Sequence, residues 1–134
     1  MISYITIGVD DIEQAERFYM AFLPDLGYRL EFYHGDLSFV LPEKPRQPEF
    51  YVKRPFDGHP ASAGNGTMVA FQARNQQQVR DLHAAALAAG GSDDGPPGFR
   101  ANYGPNFYVA YLRDPQGNKL ALYSSNPNEP VREG

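Results

Sequence analysis

The sequence predicts an α+β fold of two βαβββ modules, and three observations point to it. An alternating strand followed by a capped helix opens the chain, and the same pattern returns with Tyr4 falling on Met68, a shift of 64 residues. Each helix is followed by short alternating runs separated by turn residues, the mark of hairpins. Each half carries one apolar helical stripe, which can cover one face of a sheet and not both. The mixed sheet is expected to curve around a cavity, with one helix on the outer face of each module.

The elements follow in order. Ile5, Ile7 and Val9 alternate with Tyr4, Thr6 and Gly8, so residues 2–9 read as a strand with two unlike faces. Asp11 and Gln14 have the spacing of a capping box. Ile12, Ala15, Phe18, Tyr19 and Phe22 then form one helical stripe, closed by Pro24 and Gly27. Residues 28–33 and 37–41 read as a hairpin around His34-Gly35-Asp36. A loop with three prolines spans 42–48, Phe50 to Val52 is a short strand, and 53–66 is a long loop with two prolines and three glycines.

The second half restarts at Met68. Residues 68–73 alternate, Asn75 and Gln78 repeat the cap spacing, and Val79, Leu82, His83 and Ala86 form the stripe. Gly90-Gly91 ends that helix. Residues 95–105 read as a Gly/Pro loop with room for one short irregular strand. Residues 107–112 and 120–123 are strands joined by the turn Asp114-Pro115-Gln116-Gly117-Asn118. Under the same shift Asp11 falls on Asn75, Gln14 on Gln78, Phe18 on Leu82 and Gly27 on Gly91, without a gap. Module one is thus expected at about 1–54, a linker at 55–66, module two at 67–124 and a tail at 125–134.

Composition removes several function classes. The chain has 134 residues, suited to one domain, and no cysteine, which excludes a disulfide framework, a thiolate metal site and a cysteine nucleophile. The net charge is −4 and the basic residues are scattered, so no nucleic-acid partner is expected. No secretory leader and no apolar run of membrane-span length is visible, so the protein is expected to be soluble and cytoplasmic, with no membrane partner. There is no dinucleotide fingerprint, Walker pattern or nucleophile elbow.

The opening Ile2-Ser3-Tyr4-Ile5-Thr6-Ile7-Gly8-Val9-Asp10-Asp11, with Ala15-Glu16-Arg17-Phe18-Tyr19, resembles the start of vicinal oxygen chelate proteins. Asp114-Pro115-Gln116-Gly117-Asn118 before an apolar strand resembles their final hairpin. The resemblance covers residues 2–124 and implies βαβββ modules paired into cups, often in dimers, with the site inside the cup. Its metal enzymes take a His from the first strand of each half and a carboxylate from a late strand of each. By that resemblance the His positions fall on Tyr4 and Met68, the last carboxylate on Ala121, and the fourth near Tyr51, with Glu49 on the same strand face. Alanine offers no donor, methionine is soft, and a neutral phenol is a poor ligand for Ni(II), Zn(II) or Fe(II).

The resemblance therefore implies no metal and no cofactor, and a homodimer that binds a small organic molecule. The expected ligand-binding residues are Tyr4, Tyr51, Met68 and Ala121 in the cup, with Arg100 and Tyr103 at its rim. A cup filled by its own side chains and inert, or an enzyme of glyoxalase or dioxygenase type, are the competing readings; the enzyme would need a rearranged metal site using Glu49 and His59, or acid–base work by tyrosine. His34 reads as a turn residue, His59 as an exposed loop residue and His83 as a packed core histidine. Tyr108 and Tyr111 lie on opposite faces of one strand, so one of them at most faces the cup.

Overall fold

Asp11 and Asn75 cap the two helices as their spacing predicts. Each side chain accepts from the backbone N–H three residues on, Gln14 at 2.9 Å and Gln78 at 2.8 Å. The computed structural model describes residues 1–133. The first module contains β1 (Tyr4–Gly8), α1 (Ile12–Met20), a 3-10 turn (Leu23–Leu26), β2 (Arg29–Tyr33), β3 (Asp36–Val40) and β4 (Glu49–Lys53). The second contains β5 (Val69–Gln72), α2 (Gln76–Ala88), β6 (Ser92–Phe99), β7 (Tyr108–Arg113) and β8 (Lys119–Ser124).

Each module forms its own mixed four-stranded sheet, in the orders β1-β4-β3-β2 and β5-β8-β7-β6. The first strand of each half runs parallel to the last, and the other pairs are antiparallel. The topology is that of two βαβββ modules, and the sheets are open. Among the described residues no strand pairing joins them, so the modules form two separate sheets, not one continuous sheet.

Alternation decides the core. Ile7, Leu37, Phe39, Phe50 and Val52 point to the helix side of the first sheet. Val69, Phe71, Ala110, Leu112, Leu120 and Leu122 do so in the second. The two sets meet through Phe71, whose ring lies edge-on to Phe22, Tyr28 and Phe50 at 6.2, 5.8 and 5.1 Å. The opposite faces, carrying Tyr4, Thr6 and Tyr51 on one sheet and Ala70, Tyr111 and Ala121 on the other, have no helix over them. No helix among the described residues is long and apolar enough to cross a membrane.

Three local departures have physical reasons. Residues 92–99, with 95–99 expected as loop, form a strand in spite of Pro96 and Pro97. The strand lies at the sheet edge, where missing N–H groups cost little, and two register shifts take up the irregularity. His34 and Gly35, at φ of 52° and 83°, make a two-residue hairpin loop between Tyr33 and Asp36. Gly27 and Gly91, matched in the repeat, serve different ends. Gly27 adopts φ 96°, whereas Gly90 takes the left-handed position after α2 and Gly91 is a close-packing site.

A Cβ at Gly91 would lie 2.7 Å from Phe18 Cε1 and within 3.1 Å of two carbonyl oxygens. Gly91→Ala is therefore expected to cost about 1–3 kcal/mol in chemical denaturation, the scale of an overpacked core. An unchanged midpoint would show that the two modules separate there more easily than their packing implies.

Candidate functional site

The uncovered face of the first sheet gathers hydroxyls and a carboxylate. Register sets Tyr4 beside Glu49, and Tyr51 between Thr6 and Ser38. The rings of Tyr4 and Tyr51 meet edge-on at 5.5 Å. The Tyr51 hydroxyl donates to Glu49 Oε2 at 2.5 Å. That hydrogen bond raises the Tyr51 phenol above its ordinary range; partial burial adds to it and the Ser38 hydroxyl opposes it. At the far end of the same face Lys53 lies 3.5 Å from Asp36.

The second sheet answers with a different chemistry. Tyr111 faces outward beside Ala121, and Tyr108 turns to the core, which settles their opposed orientation. Ala121 is on the uncovered face yet buried (1% exposed), while Met68 stands exposed just before β5. Arg100 folds back, donating to Pro96 O at 2.7 Å and Phe99 O at 3.1 Å, with its guanidinium 5.4 Å from the Tyr111 ring centre. Tyr103 is on the loop after β6, its ring tilted against Phe107 at 4.9 Å, and Phe107 in turn meets Tyr123. A tail strap fixes that loop: Arg132 Nη1 donates to the carbonyls of Arg100, Ala101 and Tyr103, at 2.7 to 2.9 Å.

Tyr4 and Tyr51 are thus brought together, and Arg100 is brought to Tyr111, but Tyr4 and Met68 line separate cavities within one chain. Tyr4 borders a cavity of about 570 Å³ with Thr6, Gly8, Lys53 and Phe56. Met68 borders one of about 600 Å³ with residues 63–67, Arg113 and Lys119. A third cavity, about 360 Å³, lies where the sheets approach, between Ile5, Tyr28, Glu49, Phe71 and Tyr123; burial raises the Tyr28 phenol there. Sequence reading passed over Arg113 and Lys119 because five turn residues separate them; their signal was position on either side of a hairpin turn, which pairs them directly.

The histidines stand apart from these groups. His34 is in its exposed turn. His59 borders Asp10 and Arg54, at the Gly8–Lys53 end of the first sheet. Glu49 lies at the other end of β4, about 13 Å away along the strand, so the two do not meet at one ion. His83 is buried on α2, with Nε2 3.2 Å from Asp93 Oδ1 but out of line for a good hydrogen bond. Among the described residues no three His, Asp or Glu side chains come together as a metal-holding group.

The two faces are held in place by a seam between the modules. Buried Asp114 accepts from the Tyr19 hydroxyl at 2.7 Å, from Asn118 N at 2.8 Å, from Asn118 Nδ2 at 3.0 Å and from Gln116 N at 3.0 Å. Asn118 Nδ2 also donates to Gly8 O at 3.0 Å, at the end of β1. Gln116 Oε1 accepts from Asp10 N, and its amide reaches Ala61 O in the linker. The final hairpin therefore positions the first strand.

No family model matches the chain, and no curated protein does. Solved structures do. A glyoxalase/bleomycin resistance protein from Albidiferax ferrireducens T118 is 36% identical, over 92% of this chain and 98% of that one, with a TM-score of 0.81. The chain belongs to the vicinal oxygen chelate superfamily. A glyoxalase-related enzyme from Fulvimarina pelagi, at 20% identity (92% of this chain, 87% of that one, TM-score 0.73), shares the fold. So does a fosfomycin resistance protein from Mesorhizobium loti, at 14% identity (95% and 93%, TM-score 0.66). Within this vicinal oxygen chelate domain, the positions that resemble metal ligands do not fit a hard divalent ion. Ala121 has no donor, Met68 offers a thioether, and Glu49, on the same strand face as Tyr51, is engaged by its hydroxyl.

Proposed function

We propose that this domain binds a small organic molecule in the manner of the bleomycin-resistance members of its superfamily, without the metal centre of the superfamily's enzymes. The observation that supports this most directly is the donor set: Tyr4, Met68 and Ala121 stand where imidazoles and a carboxylate would be needed. Tyr4 and Tyr51 form an aromatic wall with phenol donors on one sheet; on the other Met68 borders a cavity, and Arg100 and Tyr103 are its proposed rim. A second copy of the chain completes the cup by bringing the first sheet of one protomer over the second sheet of its partner. Exposed Tyr4 and Met68, on faces that no helix covers, support that pairing.

The test is metal content and mass on untagged protein purified without chelator. The expected result is a dimer by light scattering at micromolar concentration, with sub-stoichiometric Fe, Ni, Zn and Mn and no thermal shift on adding any of them. One metal per chain would overturn the metal-free reading, and a monomer would overturn the shared cup. With an aromatic ligand in hand, Met68→Asp is expected to weaken binding by about tenfold or more, through burial of an unpaired carboxylate in the cup.

A further inference from the structure

Three cations share the uncovered face of β7 and β8. Arg113 and Lys119 are direct partners in the strand register. Both lean on one carboxylate, with Arg113 Nε 3.3 Å and Lys119 Nζ 3.2 Å from Asp94 Oδ2. Lys119 Nζ is also 5.1 Å from the Tyr111 ring centre, which Arg100 approaches at 5.4 Å. Like charges directly opposite in a sheet destabilise it, and Asp94 neutralises one of the two. A positive charge beside a cavity is left over in a chain of net charge −4.

The arrangement is built into the backbone. Arg113 Nη1 donates to Gly117 O at 2.9 Å, and Arg100 is fixed by two carbonyls of β6. Gly95 lies at φ 151°, and a Cβ there would come within 2.8 Å of Tyr111 Cδ2 and 3.3 Å of Arg100 Nη2. The bulged β6 thus lets the Tyr111 ring and the Arg100 guanidinium lie against its backbone. Next to Arg113 and Lys119 is the cavity of about 600 Å³, closed on its other side by Gly64, Asn65, Gly66 and Thr67. Met68, at the second-half ligand position by the resemblance, borders it.

We infer that Arg113 and Lys119 hold an anionic oxygen group of the ligand, a carboxylate or a phosphate monoester, and that Tyr111 carries the ring or chain attached to it. The inference rests on the cup reading above for the rest of the ligand. Fixed side-chain cations here supply the positive charge that a divalent ion would otherwise bring. A guanidinium offers paired donors to two oxygens, and an ammonium adds a point charge beside it.

The experiment is a calorimetric titration with benzoate, phenyl phosphate and inorganic phosphate at constant ionic strength, on the untagged full chain. Saturable binding of at least one anion, one per chain and weaker at higher salt, is expected. Benzoate binding without phenyl phosphate binding assigns a carboxylate, and the reverse a phosphate. Arg113→Gln and Lys119→Gln are each expected to weaken it by about tenfold, with Arg113→Lys retaining part. Asp94→Asn, which removes the competing carboxylate, is expected to tighten it. No saturable binding of any of the three at millimolar concentration, or binding that survives both Gln substitutions, overturns the inference. Metal content of the same sample separates the two readings: stoichiometric metal sinks the metal-free cup, whereas absent anion binding on metal-free protein sinks the anion site alone.

Discussion

Asp114→Ala is expected to lower the stability of the domain by about 3–5 kcal/mol, the scale seen when one member of a buried charged network is removed. Asp114 is 3% exposed and collects four hydrogen bonds, two from backbone N–H groups of its own turn, one from Asn118 and one from Tyr19 in the other module. Alanine leaves those donors facing a void. It also frees the turn whose Asn118 holds Gly8 O, so the end of β1 loses its anchor. Tyr19→Phe removes one of the four and is expected to cost about 1.5–3 kcal/mol, as for a hydrogen bond to a charged group. Urea denaturation of both variants checks the order. An Asp114→Ala loss no larger than that of Tyr19→Phe would show that the turn closes without its carboxylate.

The same bond gives the stability a sign in alkali. Burial first, then the neighbouring Asp114 carboxylate, raises the Tyr19 phenol well above its ordinary value. Above about pH 10 the unfolded chain has shed that proton while the folded chain keeps it. The stability from this group is therefore complete below pH ~10 and is lost as pH rises toward the folded-state value. Tyr28 and Tyr51 are shifted in the same direction and add to the slope. Tyr19→Phe is expected to flatten the alkaline limb.

Phe71→Ala is the second large effect, about 3–5 kcal/mol, the usual range for a buried phenylalanine. Phe71 is 4% exposed, and its ring touches the helix end, the following strand and β4 of the first module through Phe22, Tyr28 and Phe50. All three neighbours belong to the first module, so the second-module ring packs across the junction. The void would open at the junction, beside the cavity of about 360 Å³ that Phe71 already lines. Chemical denaturation is expected to stay a single transition if the halves unfold together. Two transitions in the variant, with one in the parent, would show that this ring is what couples them.

Much of the fold could be read from the chain because local signals and the repeat agreed. Asp11 and Asn75 mark the helix starts, the His34-Gly35 and Asp114–Asn118 turns mark the hairpins, and alternation fixes which side of each strand is buried. Residues 92–99 were harder, since Pro96 and Pro97 argue against a strand unless its edge position is known. Of the candidate site, the nearness of Tyr4 to Tyr51 was legible in the chain. Tyr4 and Tyr51 meet because they sit on neighbouring parallel strands, and the resemblance put them there. The pairing of Tyr19 with Asp114 had no local signal: one read as a stripe residue and the other as a turn former. Arg113 and Lys119 looked like scattered charges until a register made them neighbours. The hold of Arg132 on residues 100–103 depends on where the tail runs, which no periodicity reports.

The seam between the modules also orders events in time. The Tyr19 hydroxyl must wait for a partner 95 residues downstream, and the carbonyl at the end of β1 waits for Asn118, 110 residues beyond it. At a synthesis rate of about 5–20 residues per second, that delay is roughly 5–20 s on the ribosome. Once Lys53 is made the first half has its sheet and helix sequence complete, but its buried phenol still has no acceptor, and until residue 71 is made Phe50 has no Phe71 to pack on. A nascent first half is therefore expected to stay loosely packed and open to chaperones until the last hairpin emerges. Codons or stalls that lengthen the stretch between Val69 and Asp114 lengthen that exposure directly.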